Sequence, residues 1–394
     1  MSTFSSGCFS MALATATLFS LCVSPGFAQD QPKPPVNSAV QEEMRKAVDS
    51  KEVSGAVTLV ASAEGITHLD ATGLADIAKN IPMRPDTIFW IASMTKPVTA
   101  TAILMLQDEG KLSVDDLVEK HLPEFANLKT KTGEPAKLTI RHLLTHSSGM
   151  SELSGTESQG IKTLAELMPL YVAKPVQFTP GSKWAYCQSG INTAGRIVEV
   201  ASGLSLPDFF ERRLFSPLGM KDTTFYLTTE QLPRYATSYK KTEQGELQVA
   251  DTFGLGGSKA TNRERFPAAN GGLFSTAPDY ARFARMILRG GELDGKRYVK
   301  PESVKLMTTL QSGDLKTGFT PGCAWGLGWC LVQEPQGVTE MLSAGTFGHG
   351  GAFGTQAWID AKANRAYILM VQRANFANSD NSPVRKAFQQ AATK

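Results

Sequence analysis

The stretch Thr87–Ala100, TIFWIASMTKPVTA, decides how the rest of the chain is read. Ser93 and Lys96 stand three apart, and an apolar, helix-like run follows from Val98 to Leu106. A helix opened by Ser93 carries Lys96 one turn on, on the same face, with its ammonium near the hydroxyl. Such a place favours a nucleophile in two ways. The helix N-terminus offers free N–H groups and a partial positive charge to a developing anion. A lysine partly stripped of water has a lowered pKa and can take up or relay the hydroxyl proton. Pro97 is tolerated in the first turn, where N–H groups lack intrahelical partners. The spacing alone is a weak signal, because Ser238 and Lys241 repeat it in the polar stretch TSYKKTEQGE, where it reads as a solvated serine and lysine.

The chain has 394 residues, room for one large domain or two smaller ones, and its 42% hydrophobic fraction supports a substantial core. A net charge of +3 is too mild to argue for nucleic acid or an anionic membrane as partner. No apolar run in the body of the chain reaches transmembrane length. The first 28 residues carry no charged side chain, Met11–Val23 is apolar, and small residues precede a cut before Gln29. This pattern reads as a signal peptide over 1–28, cleaved near Ala28, then a linker over 29–37, and so a periplasmic or secreted protein. Cys8 and Cys22 leave with the leader, and the odd number that remains (Cys187, Cys323, Cys330) implies no complete disulfide framework and no zinc spacing. Read as one strand, Trp325–Val332 and its approach put Cys323 and Cys330 about 23 Å apart at ~3.3 Å per residue, so free thiols are expected.

Helical periodicity marks 38–52, the start of 111–125, 164–173, 192–202, 206–215, 278–289 and 383–392. Thr276 is the expected N-cap of 278–289, with Asp279 supplying a capping-box carboxylate. Strand patterns mark 55–61 and 66–72 as a hairpin, then 325–332, 354–359 and 366–372. Residues 228–268 are polar and turn-rich and read as a rim over a cleft. Strands near both chain ends with helices between them give an α+β domain over 38–394. Its sheet part is about 38–92 and 270–394, and its mainly helical insertion about 93–269. His142 and His146 are four apart and could share a helix face, but no third ligand is placed near them. A structural helix and turn beneath the site is the expectation, and no metal.

A serine hydrolase needs a nucleophile, a proton acceptor and donors for an oxyanion. No Gly-x-Ser-x-Gly pentapeptide occurs, which argues against an α/β-hydrolase elbow. Tyr186, in WAYCQSG, can act as a base if a cation, Lys96, lowers its pKa; the alternative is a core tyrosine. His349 sits in FGHGGAFG, where Gly350 and Gly351 let the backbone approach a ligand, unless the glycines only make a turn. The N–H groups of Ala352 and Ser93 could then point at one carbonyl oxygen.

Together IASMTKPVTA, LTIRHLLTHSSGM, WAYCQSGINTAGRIVE, GGLFSTAPDYARFARMILRGGELDGKR and GHGGAFG resemble the serine β-lactamase and penicillin-binding-protein superfamily. The likeness is to its class C-like branch, which includes the family VIII carboxylesterases, and covers roughly 38–390 in the expected order. It implies a β-lactamase/transpeptidase-like fold, a central antiparallel sheet flanked by helices. It implies Ser93 as the acylated nucleophile, with Lys96 and Tyr186 managing its proton. Ser93 and Ala352 N–H groups would form the oxyanion hole; Gln188, His349, Gly350 and Gly351 would meet substrate. No metal or organic cofactor is implied. Two positions depart from the family pattern. Gln188 stands where asparagine is usual, with a changed reach to Lys96 and substrate. His349-Gly350-Gly351 replaces Lys-Thr-Gly, removing a permanent cation and a hydroxyl. A histidine of ordinary pKa there is largely neutral at pH ~7 and gains charge toward pH ~6. Lys131-Thr132-Gly133, Lys316-Thr317-Gly318 and Ser379-Asp380-Asn381 match family tripeptides literally but in the wrong order or context, and read as coincidence. The expected activity is a carboxylesterase on small esters. The competing readings are a β-lactamase or D-alanyl-D-alanine carboxypeptidase and a catalytically silent binding protein.

Overall fold

The computed structural model describes residues 1–5, 7, 35–318 and 320–394. Residues Pro34–Lys394 form one compact unit. The apolar stretch Met11–Val23 and the junction after Ala28 lie outside the described residues.

The unit is built on an eight-stranded, wholly antiparallel sheet. Its strands are β1 (Gly55–Ala61), β2 (Ile66–Asp76), β3 (Ile81–Pro82), β4 (Cys323–Trp325), β5 (Cys330–Val332), β6 (Phe347–Gly350), β7 (Gln356–Asp360) and β8 (Arg365–Met370). They lie in the order β4-β5-β6-β7-β8-β1-β2-β3, so both chain ends meet where β8 pairs with β1. The β-branched run GAVTLVA is buried along its whole length. Its alternate side chains feed two cores, as the two-residue period of a strand requires. Val57, Leu59 and Ala61 join Ile368 and Met370 on one face; Ala56 and Val60 join Tyr367 and Leu369 on the other. Helices α1 (Ser38–Asp49) and α5 (Pro383–Ala392) cover the second face. On the first lie α2 (Thr95–Asp108), α3 (Gln188–Ser202) and α4 (Ala277–Leu288). Helix α2 is buried all round from Thr95 to Leu106, the mark of a core helix.

Several elements differ from the sequence reading for local reasons. Residues 111–117 are not helical, because Asp116 accepts from the Ser113 N–H at 2.9 Å and holds a turn; only Val118–His121 winds up. Pro123 opens a short 3₁₀ turn, Pro123–Asn127. Helix α3 begins four residues earlier than its periodicity indicates. The Cys187 sulfur accepts from Gly190 N–H at 3.3 Å, and the Glu152 carboxylate accepts from Ser189 N–H at 3.2 Å, so a distant acid caps the poor opener Gln-Ser-Gly. Thr276 does cap α4 by accepting from the Asp279 N–H. The Asp279 carboxylate, however, turns away to Asp222 N–H at 2.7 Å and Thr223 Oγ1 at 3.0 Å, so no capping box forms. The polar span 228–268 contains a hairpin, Tyr239–Lys241 with Leu247–Val249, which extends to Arg373–Ala374.

The expected strand Trp325–Val332 is two strands. Gly326 N–H donates to Trp329 O at 2.8 Å, Gly328 adopts φ +75°, and β4 folds back on β5 with Trp325 opposite Cys330. All three described cysteines are free. The separation argument for Cys323 and Cys330 fails nonetheless: the hairpin sets the two residues on adjacent strands, Cys323 opposite Val332 and Cys330 opposite Trp325. His142 and His146 do not share a helix face either. The short helix stops at Leu144, His142 caps its start, and His146 takes φ +57° beyond it.

Among the described residues no helix is long and apolar enough to cross a membrane.

Candidate active site

Ser93 sits in a 3₁₀ turn, Ala92–Met94, that runs directly into α2. Ala92 before it holds φ +44°, a left-handed conformation that costs an L-residue about 1–2 kcal/mol. Neighbouring structure maintains it: Ile91 N–H donates to Leu273 O at 3.0 Å, and Ala92 is buried against Gly271. Lys96 lies one turn on with no exposed surface, its Nζ 2.9 Å from Ser93 Oγ and 2.7 Å from the carbonyl oxygen of Asn270. Burial pushes its pKa down to about 7, while the charge of Glu152 pulls the other way. The ammonium lies over the ring of Tyr186, 4.7 Å from its centroid.

Asn270 is the site residue that sequence reasoning missed. Its carbonyl fixes Lys96, its amide nitrogen Nδ2 donates to Gln188 Oε1 at 2.8 Å, and its N–H donates to Asn192 Oδ1 at 3.2 Å. Gln188 therefore reaches Lys96 through Asn270. The one local signal was the Gly271-Gly272 pair that follows Asn270.

Tyr186 is half-buried, with its hydroxyl beside Ser93. Burial raises its pKa well above the usual tyrosine value, and Lys96 meets the ring face rather than the oxygen. The expectation that Lys96 lowers the Tyr186 pKa is thus overturned, because the desolvation of both groups outweighs their attraction. His349 lies on β6 and is buried. Its Nδ1 faces Gly350 O at 2.7 Å, an acceptor only, so Nδ1 carries the hydrogen and Nε2 presents a lone pair 3.5 Å from the Tyr186 hydroxyl. Burial and the Lys96 charge push the His349 pKa down to about 3. It stays neutral at pH ~6, contrary to the expectation from its reference value.

Gly350 and Gly351 are glycines for internal reasons. A Cβ on Gly350 would stand 1.8 Å from Asp380 Oδ1, and one on Gly351 would stand 2.1 Å from Thr355 Oγ1. Asp380, set aside with its tripeptide, thus packs behind the third motif. Ala352 follows this strand end; its N–H makes no backbone hydrogen bond among the described residues, and it lines the same cleft as Ser93. That cleft holds about 780 Å³, with Trp90, Leu153, Gln188 and Phe253 on its walls. Residues 253–268 contribute much of the wall, as expected of the turn-rich rim. His349, Gly350 and Gly351 do not line this cleft; His349 and Gly350 face a small void beside Trp325, Cys330 and Asp380. His146 packs beneath the site, its ring 4.4 Å from that of Tyr186, with Nδ1 accepting from Cys187 N–H at 3.1 Å.

With this geometry established, comparison with known proteins is direct. The sequence profile of the family described as Beta-lactamase matches residues 40–392. The chain belongs to that family. It is 30% identical over 359 residues to the protein named Esterase EstB of Burkholderia gladioli, covering 84% of this chain and 88% of the relative. It is 30% identical over 329 residues to Penicillin-binding protein 4 of Amycolatopsis lactamdurans, covering 82% and 81%. The solved structure of EstCE1, described as a hydrolase with promiscuous acyltransferase activity, superposes with a TM-score of 0.78 over 91% of this chain and 98% of that one. At 24% identity this last likeness speaks for the fold alone. The fold is the β-lactamase/transpeptidase fold, and at family level the chain is a serine hydrolase.

Proposed function

We propose that the mature protein is a periplasmic or secreted carboxylesterase that cleaves small esters through an acyl-enzyme on Ser93. One observation carries the reading: a fully buried lysine with its pKa near 7 lies 2.9 Å from the hydroxyl of a serine at the floor of an open cleft. As the free amine, Lys96 keeps one N–H on Asn270 O and turns its lone pair to Ser93. It takes the hydroxyl proton as Oγ attacks the ester carbonyl. The carbonyl oxygen becomes an anion facing the N–H groups of Ser93 and Ala352. The Lys96 ammonium, beside Ser93, gives the proton it took to the departing alkoxide, while Tyr186, which burial keeps protonated, sets its hydroxyl beside the reacting oxygens. Water then repeats the cycle on the acyl-enzyme.

The preference for esters rests on what the third motif lacks. β-Lactams and peptidoglycan stems carry a carboxylate beside the reacting carbonyl. A charged hydrogen bond to it is worth about 1.5–3 kcal/mol, tenfold or more in discrimination. Here the motif has a neutral histidine and a glycine, with the Asp380 carboxylate behind them. Simple esters carry no such carboxylate and lose nothing. The test is the ratio of kcat/KM for p-nitrophenyl butyrate to that for a chromogenic cephalosporin, measured on one preparation. The expected ratio favours the ester and does not swing toward the cephalosporin as pH falls to ~6. A ratio favouring the cephalosporin would make this a β-lactam or peptidoglycan enzyme. Amino-terminal sequencing of the exported protein checks the cut before Gln29.

A further inference from the structure

The β4–β5 hairpin brings together two thiols that the reaction does not use. Cys323 stands opposite Val332, and Cys330 stands opposite Trp325. Side chains two apart on a strand share a face, so Cys323 and Cys330 are diagonal neighbours on one side of the hairpin. Their thiols are close enough to perturb each other's titration. Cys330 is buried and Cys323 is partly open to solvent. The third remaining cysteine, Cys187, is buried at the start of α3 and hydrogen-bonded to Gly190 and Met150.

Three features make this pair reactive rather than merely adjacent. β4 is an edge strand, paired on one side only, so it can move toward β5 without breaking a second ladder. Diagonal Cα atoms in a flat sheet lie about 7–8 Å apart. A disulfide spans up to about 6.8 Å, so closure asks for a shift of roughly an ångström. The Arg385 guanidinium lies 3.9 Å over the ring of Trp358, which shares the second core with Cys330, and its Nη2 has no hydrogen-bond partner among the described residues. The neighbouring Cys330 thiol, aided by that buried cation, holds the Cys323 pKa below the usual cysteine value against the opposing effect of burial. The more accessible sulfur, Cys323, is therefore the nucleophile, and the buried Cys330 is placed to resolve it.

We propose that Cys323 and Cys330 are a redox modification site, closing to an intrachain disulfide by exchange with a small-molecule disulfide such as oxidised glutathione. The Cys323 thiolate attacks one glutathione sulfur; the glutathione S–S bond breaks and one glutathione thiolate leaves. Cys330 gives up its proton to that thiolate and attacks the Cys323 sulfur, and the second glutathione leaves. Two protein thiols are oxidised by two electrons, and one external disulfide is reduced to two thiols. The bridge pins the hairpin that carries Trp325, whose ring packs 5.7 Å from His349 and 6.0 Å from Tyr186.

The experiment uses the full, folded chain. The reduced protein is exposed to oxidised glutathione, then denatured, alkylated and digested with chymotrypsin without reduction. Cleavage after Trp325, Leu327 or Trp329 separates the two cysteines, so a bridge appears as one joined pair of peptides in mass spectrometry. The expected product joins Cys323 to Cys330 and leaves Cys187 alkylated. Alkylation of both cysteines, a stable glutathione adduct on wild-type Cys323, or a bridge to Cys187 would each overturn the proposal. In Cys330→Ser the reaction should stop at glutathione on Cys323, whereas an unmodified Cys323 there would show that it is not the attacking thiol. If that variant fails to fold, the wild-type digest still decides.

Discussion

Ser93 and Lys96 share their spacing with Ser238 and Lys241, yet the two pairs end in unrelated surroundings. On a helical turn, residues three apart lie on one face, and Lys96 Nζ comes within 2.9 Å of Ser93 Oγ. The second pair leads into a strand, Tyr239–Lys241, where positions three apart project to opposite sides. Ser238 Oγ meets Thr252 Oγ1 at 2.9 Å, and Lys241 is ion-paired with Glu52. Burial separates them further: Lys96 has no exposed surface, and its pKa falls to about 7, whereas Lys241 keeps water and a carboxylate. A shared tetrad becomes chemistry only when the period of the element aligns the two side chains and the core strips the lysine of solvent.

The largest effect should come from the nucleophiles. Ser93→Ala is expected to remove turnover by at least ~10⁴-fold and to abolish labelling by a fluorophosphonate probe. Ser238→Ala should leave both unchanged; label surviving in the Ser93 variant would erase the distinction between the tetrads. The lysines come next. Lys96→Met should slow acylation by ~10²–10⁴-fold in a folded protein, checked by its thermal transition. Lys241→Ala should keep full activity and cost less than about 1 kcal/mol of stability, since its ion pair is partly solvated. Comparable activity losses at the two lysines would show that burial does not set them apart.

How much of this was legible follows from which interactions are local. The sheet from both chain ends was readable because GAVTLVA and its hairpin partner carry strand chemistry within a few residues. Ser93, Lys96 and Tyr186 were readable because each sits at the mouth of a helix marked by periodicity. The β4–β5 hairpin was lost because Gly326 and Gly328, which make its turn, sit inside an apolar run that reads as one strand. Asn270 was lost because its role is played by a backbone carbonyl, which every residue owns. The neutral state of His349 was lost because its pKa is set by burial and by Lys96, more than two hundred positions away in the chain.

A subtler contrast between the tetrads is their pH response. A base must be unprotonated, and burial has brought the Lys96 pKa down to about 7, so kcat/KM for a neutral ester should rise about tenfold per pH unit below that value and level off above it. No such limb should trace to Lys241, and Lys241→Ala should leave the profile in place.

The smallest predicted effect tests what holds the Lys96 value from falling further. Glu152 exerts the largest pull of any charge favouring the ammonium, and its carboxylate also accepts from the N–H and hydroxyl of Ser189 at the start of α3. Glu152→Gln removes the charge and keeps one acceptor. Desolvation of Lys96 then stands less opposed, so the midpoint should move down, by less than about one unit because Glu152 faces solvent and is screened. Below pH ~7 the variant should therefore retain a larger share of its plateau rate than the wild type. The plateau itself should fall slightly, because a less basic amine is a weaker proton acceptor. The lost anion at the helix start should cost ~0.5–1 kcal/mol. Parallel pH profiles of the two proteins decide the point. A midpoint that stays put or moves up would mean that solvent already cancels the Glu152 charge, leaving burial alone to set Lys96 apart from Lys241.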